Sequence, residues 1–227
     1  MLNTTVQEAV TENAADEQTL SILDLLISGG TAGMIVIGVL FILLFTAVYI
    51  YFERFFAIKS ASKVEDSFMT NIKTQISSGN TAAAKVLCKQ SETPVSRLTE
   101  KGISRIGSPL EDINTAIENA GRLEVYKLEK NVSILATVAG AAPMIGFLGT
   151  VIGMVMAFHK LATASGQADM GVLAEGIYTA MTTTVAGLIV GIVAYIGYNH
   201  LVVKTDKVVH QMESTAMDFL DLLNEPA

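Results

Sequence analysis

Three long stretches of this chain contain no Asp, Glu, Lys or Arg: residues 25–52, 131–159 and 176–203. A helix needs about 20 apolar residues to cross a bilayer, so each stretch is long enough to span it. The composition agrees, because half of the residues are apolar and only 16% are charged, which is typical of an integral membrane protein. The sequence therefore predicts an all-α protein with three transmembrane helices.

The basic residues predict the direction of these helices. Twelve of the fifteen Lys and Arg residues lie within residues 53–130, and Lys204 and Lys207 follow the third stretch. Because basic residues concentrate on the cytoplasmic side, the long loop and the C-terminus are expected there and the N-terminus on the opposite side of the membrane. Five segments result: an acidic tail outside the cytoplasm with a short surface helix at 20–30 (1–28), the first transmembrane helix (29–52), a cytoplasmic helical loop (53–130), a transmembrane hairpin (131–203), and a cytoplasmic C-terminal helix and tail (204–227).

The segments outside the membrane also carry helix signals. "SPLED" at 108–112 predicts a capping box with Pro109 as the first helical residue, and this helix is expected to run without a break into the second span. "SSGN" at 77–80 and "SETP" at 91–94 predict breaks between shorter helices. An amphipathic helix is expected after the third span from the apolar residues Val208, Val209, Met212, Ala216, Phe219, Leu220 and Leu223.

Small and polar residues set the second and third spans apart from the bulky first one. Glycines recur there at steps of three and four, which places them on one helix face and allows helix backbones to approach closely. The predicted packing residues are Pro143, Gly146, Gly149, Gly153, Gly187 and Gly191. The third span also carries Thr179, Thr182, Thr183 and Thr184. These hydroxyls either bond carbonyls of their own helix or line a cavity shared with another molecule.

No Asp or Glu lies within the three stretches. A proton path through this chain would therefore need a carboxylate from a partner. His159 and His200 lie at span ends and are expected at the membrane interface, and the single Cys88 is expected to be a free structural thiol. No metal site or cofactor is predicted, no set of residues resembles an enzyme's active site, and the acidic tails argue against a nucleic-acid partner.

Two motifs in register resemble one family. "APMIGFLGTVIGMVMAF" at 142–158, followed by "GIYTAMTTTVAGLIVGI" and "GYNH", is similar to the core of the ExbB/TolQ/MotA group, and the three-span layout is most similar to ExbB and TolQ. The resemblance implies a homo-oligomeric ring of five subunits in the bacterial inner membrane, with the N-terminal tail (1–28) in the periplasm. It also implies an enclosed single-span partner, ExbD or TolR, that supplies an essential Asp. Proton flow would then drive TonB or TolA, which reaches across the periplasm.

The resemblance also implies roles for single residues. Thr150 and Thr184 fall on the family's pore threonines, and we place the neighbouring Thr183 with them on the predicted ion path. This chain has Thr179 where many relatives carry Glu, and Val193 where many carry Pro. Without that Glu, the partner's Asp would be the only carboxylate in the membrane.

An ExbB-like proton-channel subunit is the expected function. A TolQ-like subunit for envelope maintenance and a purely structural membrane scaffold are the alternatives. A small solute transporter is disfavoured, because the chain shows no inverted repeat and no charge within its spans.

Overall fold

The computed structural model of the chain describes residues 30–63, 67–163 and 170–224. Every regular element within these ranges is a helix, which confirms the all-α prediction. The helices are α1 (Gly30–Ala61), α2 (Phe68–Ser77), α3 (Thr81–Ser91), α4 (Pro94–Ile103), α5 (Leu110–Glu129), α6 (Val132–Thr163) and α7 (Met170–Asn224). The surface helix predicted at 20–30 lies almost wholly outside the described residues.

Three of these helices, α1, α6 and α7, are long and apolar enough to cross a membrane, as predicted. Two of them continue well past the charge-free stretches. Helix α1 ends at Ala61, nine residues after the expected end of the first span, and α7 runs for 55 residues. At 1.5 Å per residue, α7 is about 80 Å long, which is more than twice the thickness of a bilayer's hydrocarbon core.

The predicted unbroken helix from residue 108 into the second span is wrong. Helix α5 ends at Glu129 and α6 begins at Val132, with Asn131 between them at a φ of +64°. Left-handed backbone ends a helix, and Asn tolerates it better than most residues. The third span, in contrast, does continue into the C-terminal segment without interruption, because α7 covers both.

The capping box predicted at 108–112 is also wrong. Helix α5 begins at Leu110 after Pro109, and no side chain caps its first turn. A capping box forms at α4 instead, where Thr93 and Ser96 each accept a hydrogen bond from the other's backbone N–H and Pro94 is the first helical residue. The breaks predicted at 77–80 and 91–94 do separate α2 from α3 and α3 from α4.

The described residues fall into two compact units, those up to Leu40 with those of 144–188, and those of 41–143 with those from Ile189 onward. In the second unit, the predicted amphipathic face of α7 contributes its buried residues Val208, Met212 and Phe219 to an apolar core. A side chain at Gly102 of α4 would meet the Phe219 ring at 2.5 Å, so glycine lets α4 and α7 touch there. The predicted packing of the two long helices outside the membrane is consistent with this core, which Ile117 of α5 also joins.

Candidate functional site

A cluster of hydroxyl groups lies between α6 and α7 in the first unit. Thr150 of α6 and Thr184 of α7 are in direct hydrogen-bond contact through their Oγ1 atoms. Thr150 also lies 3.0 Å from the carbonyl oxygen of Ala180, and Thr184 lies 3.3 Å from that of Gly146. Both side chains are half-buried. The two threonines named by the family motif are therefore brought together, 34 residues apart in the chain.

Thr183 is more deeply buried than its neighbour Thr184. Its side chain is only 1% exposed, and its hydroxyl donates toward the carbonyl oxygens of Ala180 at 2.8 Å and Gly146 at 3.2 Å. Thr182 donates to the carbonyl of Tyr178 in its own helix at 3.0 Å. Thr182, Thr183 and Thr184 therefore lie in different environments, and of these three it is Thr184 that contacts Thr150 through its hydroxyl.

Glycines of α6 allow this close approach. A β-carbon at Gly146 would lie 2.7 Å from the carbonyl oxygen of Thr183 and 3.0 Å from the Cα of Gly187. A β-carbon at Gly149 would lie 2.6 Å from the hydroxyl oxygen of Thr183, and one at Gly153 would lie 3.1 Å from the β-carbon of Ala180. These four predicted glycines thus lie along one contact between the two helices of the same chain.

The other predicted pair, Pro143 and Gly191, meets in the second unit. A β-carbon at Gly191 would lie 2.6 Å from Cγ of Pro143 and 3.1 Å from the carbonyl oxygen of Ala139. Pro143 has no N–H to donate to that carbonyl, four residues earlier in α6. Gly191 therefore packs at the turn of α6 where proline interrupts the helical hydrogen bonds.

Two features escaped the sequence analysis. A β-carbon at Gly176 would clash with the side chain of Ala157, so the close contact extends one turn beyond Gly153. The spacing of Gly176, Ala180, Thr183 and Gly187 could have shown this face, because it repeats the steps of three and four seen in α6. The second feature is a hydrogen bond of 2.8 Å between the Tyr51 hydroxyl and Nδ1 of His200, for which the sequence holds no local signal.

The ionisable groups of the described residues that show a clear pKa shift lie outside the hydroxyl cluster. Burial, and then the charge of Glu100, raises the pKa of the free thiol of Cys88 to about 12, as expected for a buried structural cysteine. In α5 the buried carboxylate of Glu124 accepts hydrogen bonds from Arg97 at 2.5 Å and Lys127 at 2.7 Å. Within the described ranges, no three His, Cys, Asp or Glu residues come together as a metal site.

Comparisons with known proteins point in one direction. Residues 90–214 match the family described as the MotA/TolQ/ExbB proton channel family. The Tol-Pal system protein TolQ of Haemophilus influenzae is 29% identical over 220 residues, which cover 92% of this chain and 96% of that protein. An ExbB homologue of Methanothermobacter thermautotrophicus is 30% identical over 55% of this chain and 43% of its own length. The biopolymer transport protein exbB1 of Vibrio cholerae is 31% identical over 40% of each chain.

Proposed function

Because the chain belongs to the MotA/TolQ/ExbB proton channel family, we propose that it is the channel subunit of a proton-driven complex in a bacterial inner membrane. The contact between Thr150 and Thr184 carries this proposal. It is a polar site between two apolar helices, and the membrane-spanning stretches of both helices (131–159 and 176–203) contain no Asp or Glu. We propose a ring of five copies around a single-span partner of the ExbD or TolR kind, which brings an Asp to this site.

The hydrogen bonds of the site favour one protonation state of such an acid. Each threonine hydroxyl has one proton to donate and two lone pairs to accept with. One of the two protons of Thr150 and Thr184 bridges the hydroxyls, and the other is donated to the carbonyl of either Ala180 or Gly146. Lone pairs then remain for a donor. A protonated carboxylic acid can donate to them at once, whereas an ionised carboxylate requires a hydroxyl to turn away from its carbonyl.

This preference of the site for the protonated form of the acid is consistent with a partner Asp that carries protons. An acid arriving protonated would be accepted by the site as it stands, and loss of its proton would require the hydroxyls to reorient or water to enter. Thr183, the third residue of the predicted ion path, donates to the same Gly146 carbonyl from a buried position. We propose that it belongs to the site by holding that carbonyl and the two helices in place.

Proton flux into vesicles that contain this protein with its single-span partner tests the proposal. Thr150→Val and Thr184→Val each remove a hydroxyl while keeping the shape of the side chain. Each is expected to reduce flux about fivefold, since one hydrogen bond in a membrane contributes about 1 kcal/mol. The double variant is expected to lose more, because both acceptors for the acid are gone.

Thr182→Val is the matched control, since its hydroxyl bonds only its own helix in the contacts described. The Thr182→Val variant makes the same replacement of a hydroxyl by a methyl group within one helical turn of Thr184. Proton flux is therefore expected to stay at the parent level. Parent-level flux in an assembled double variant would refute the channel role of these residues. The structural scaffold would then be the better account of the small-residue faces.

Members of this family act in two kinds of energy-coupling complex, the ExbB type and the TolQ type. We propose that this chain acts in a complex of the ExbB type, which drives TonB-dependent outer-membrane transport. The TolQ type is a second candidate, favoured by a TolQ alignment that covers 92% of this chain. Identification of the proteins that purify with the chain distinguishes them. A TonB-like partner supports the ExbB type, and a TolA-like partner supports the TolQ type.

A further inference from the structure

An apolar groove in the second unit lies between α1, α6 and α7. Its volume is about 300 Å³. Ala47 and Val48 of α1, Leu135 of α6, and Val193 and Gly197 of α7 are among its lining residues. At the end nearest the charged segments of α1 and α7, its lining includes the hydrogen-bonded pair Tyr51 and His200.

Positive charge lies next to the polar end of this groove. The ring of Phe55 lies 5.9 Å from the ring of His200 and 6.0 Å from that of Tyr51. The same ring carries the ammonium group of Lys204 at 5.0 Å and that of Lys59 at 6.0 Å. Two ammonium groups from two different helices therefore converge on one aromatic side chain beside the groove.

Among the described residues, no ion pair joins a carboxylate to Lys59 or Lys204. Glu53 is paired with Arg54, whose guanidinium also donates to the carbonyl of Lys127 at 3.2 Å. Both ammonium groups lie beside the Phe55 ring, and Lys59 is exposed. The result is an apolar groove with hydroxyl and imidazole groups at one end and two ammonium groups next to that end.

We propose that this groove binds an anionic phospholipid, with an acyl chain along its apolar wall and the phosphate at Lys59 and Lys204. The order of groups matches that of the lipid, since hydrocarbon is followed by an interfacial zone and then by charge. Aromatic side chains are typical of the interfacial level. Basic pockets between transmembrane helices bind anionic headgroups, whereas a partner helix or a second copy would have no general requirement for two cations at this end.

Lipid retention by the purified protein tests the proposal. The protein is reconstituted in phosphatidylcholine vesicles that contain a minor fraction of phosphatidylglycerol, then extracted in mild detergent, and the retained lipids are counted by mass spectrometry. We expect phosphatidylglycerol to be enriched over its fraction in the vesicles. Lys59→Gln and Lys204→Gln should each reduce this enrichment about fivefold, because one basic residue near a headgroup contributes about that much. Lys207→Gln, one turn further along α7, is the matched control and should leave it unchanged.

Val193→Trp tests the apolar wall, because Val193 lines the groove and is 45% exposed. It should lower the retention of both lipids by filling the groove. Ile192→Trp, at the adjacent exposed position that does not line the groove, should not. A variant that combines Lys59→Gln with Lys204→Gln is the deciding case: phosphatidylglycerol enrichment equal to that of the parent overturns the proposal, whatever Val193→Trp does. A change of oligomeric state in Val193→Trp with unchanged lipid retention would likewise overturn it and identify a second copy of the chain as the occupant.

Discussion

Replacement of Gly149 by alanine measures how much of the stability depends on the close contact between α6 and α7. The added β-carbon would lie 2.6 Å from the hydroxyl oxygen and 2.8 Å from the β-carbon of Thr183. These distances are shorter than any ordinary contact, so the two helices have to separate by several tenths of an ångström. Overpacking of this kind costs about 1–3 kcal/mol.

A second term acts in the opposite direction. Alanine is more favourable than glycine inside a helix by about 0.5–1 kcal/mol, because glycine has more backbone freedom to lose on folding. Gly140→Ala isolates this term, since Gly140 lies in the same helix and an added β-carbon there meets nothing within 4 Å. The propensity term is common to both variants. Gly149→Ala should therefore have a free energy of unfolding about 1–3 kcal/mol lower than that of Gly140→Ala, and this difference is the overpacking cost alone.

Reversible unfolding in mixed micelles of a mild detergent and dodecyl sulfate provides the measurement, with helix content as the signal. Gly140→Ala should unfold at the same dodecyl sulfate fraction as the parent or at a higher one, and Gly149→Ala at a lower one. Equal stability of the two alanine variants would refute the contact at Thr183. A Gly149→Ala variant more stable than Gly140→Ala would show that α6 and α7 do not approach as described.

Two further predictions concern the segments outside the membrane. Burial alone would raise the pKa of Glu124, but hydrogen bonds and charges from Arg97 and Lys127 outweigh burial and hold this pKa below its ordinary value. The stabilisation is therefore present above the unfolded-state pKa and disappears as the pH falls through the folded-state pKa. Glu124→Gln should cost about 2 kcal/mol in chemical unfolding at neutral pH, and a parent–variant difference that does not shrink on acidification would contradict this account. The second prediction concerns the orientation of the chain in the membrane. In a Lys101→Cys variant, the new exposed cysteine should react with an impermeant thiol reagent only after the inner membrane is opened, whereas buried Cys88 should stay unlabelled throughout. Labelling of this variant in intact cells would contradict the predicted topology.

Long-range properties of the fold were predictable where one physical requirement dominates. A stretch without charge that is longer than a bilayer is thick leaves few alternatives to a spanning helix, and all three expected helices are present. Helix ends were less predictable, because they depend on single residues. The sequence around Ser108 has the residue types of a capping box, yet the box forms at Thr93 and Ser96. The break at Asn131 had no signal in the periodicity, since apolar residues continue at helical spacing on both sides of it.

The candidate site shows a similar division. Steps of three and four identified Gly146, Gly149 and Gly153 as a contact face, since that spacing is a property of one helix. The same spacing does not say which helix is contacted. A small-residue face can pack on a neighbouring span of its own chain or on another subunit, because both offer similar apolar partners in lipid. In the structure all three glycines lie against α7 of the same chain, so any ring of subunits has to use other surfaces of these helices as well.

The threonine run shows why neighbouring residues of the same type come to differ in chemistry. Successive residues of an α-helix are about 100° apart around its axis, so Thr183 and Thr184 cannot both face α6 squarely. Thr183 points into the contact, where it is buried against the Gly149 backbone. Thr184 is carried to the edge of that contact, where it is half-buried and meets Thr150. A hydroxyl at the edge is stabilised by the protein on one side and is open to water or a partner's acid on the other. The 100° step thus turns a repeated threonine into one packing residue and one candidate proton-handling residue.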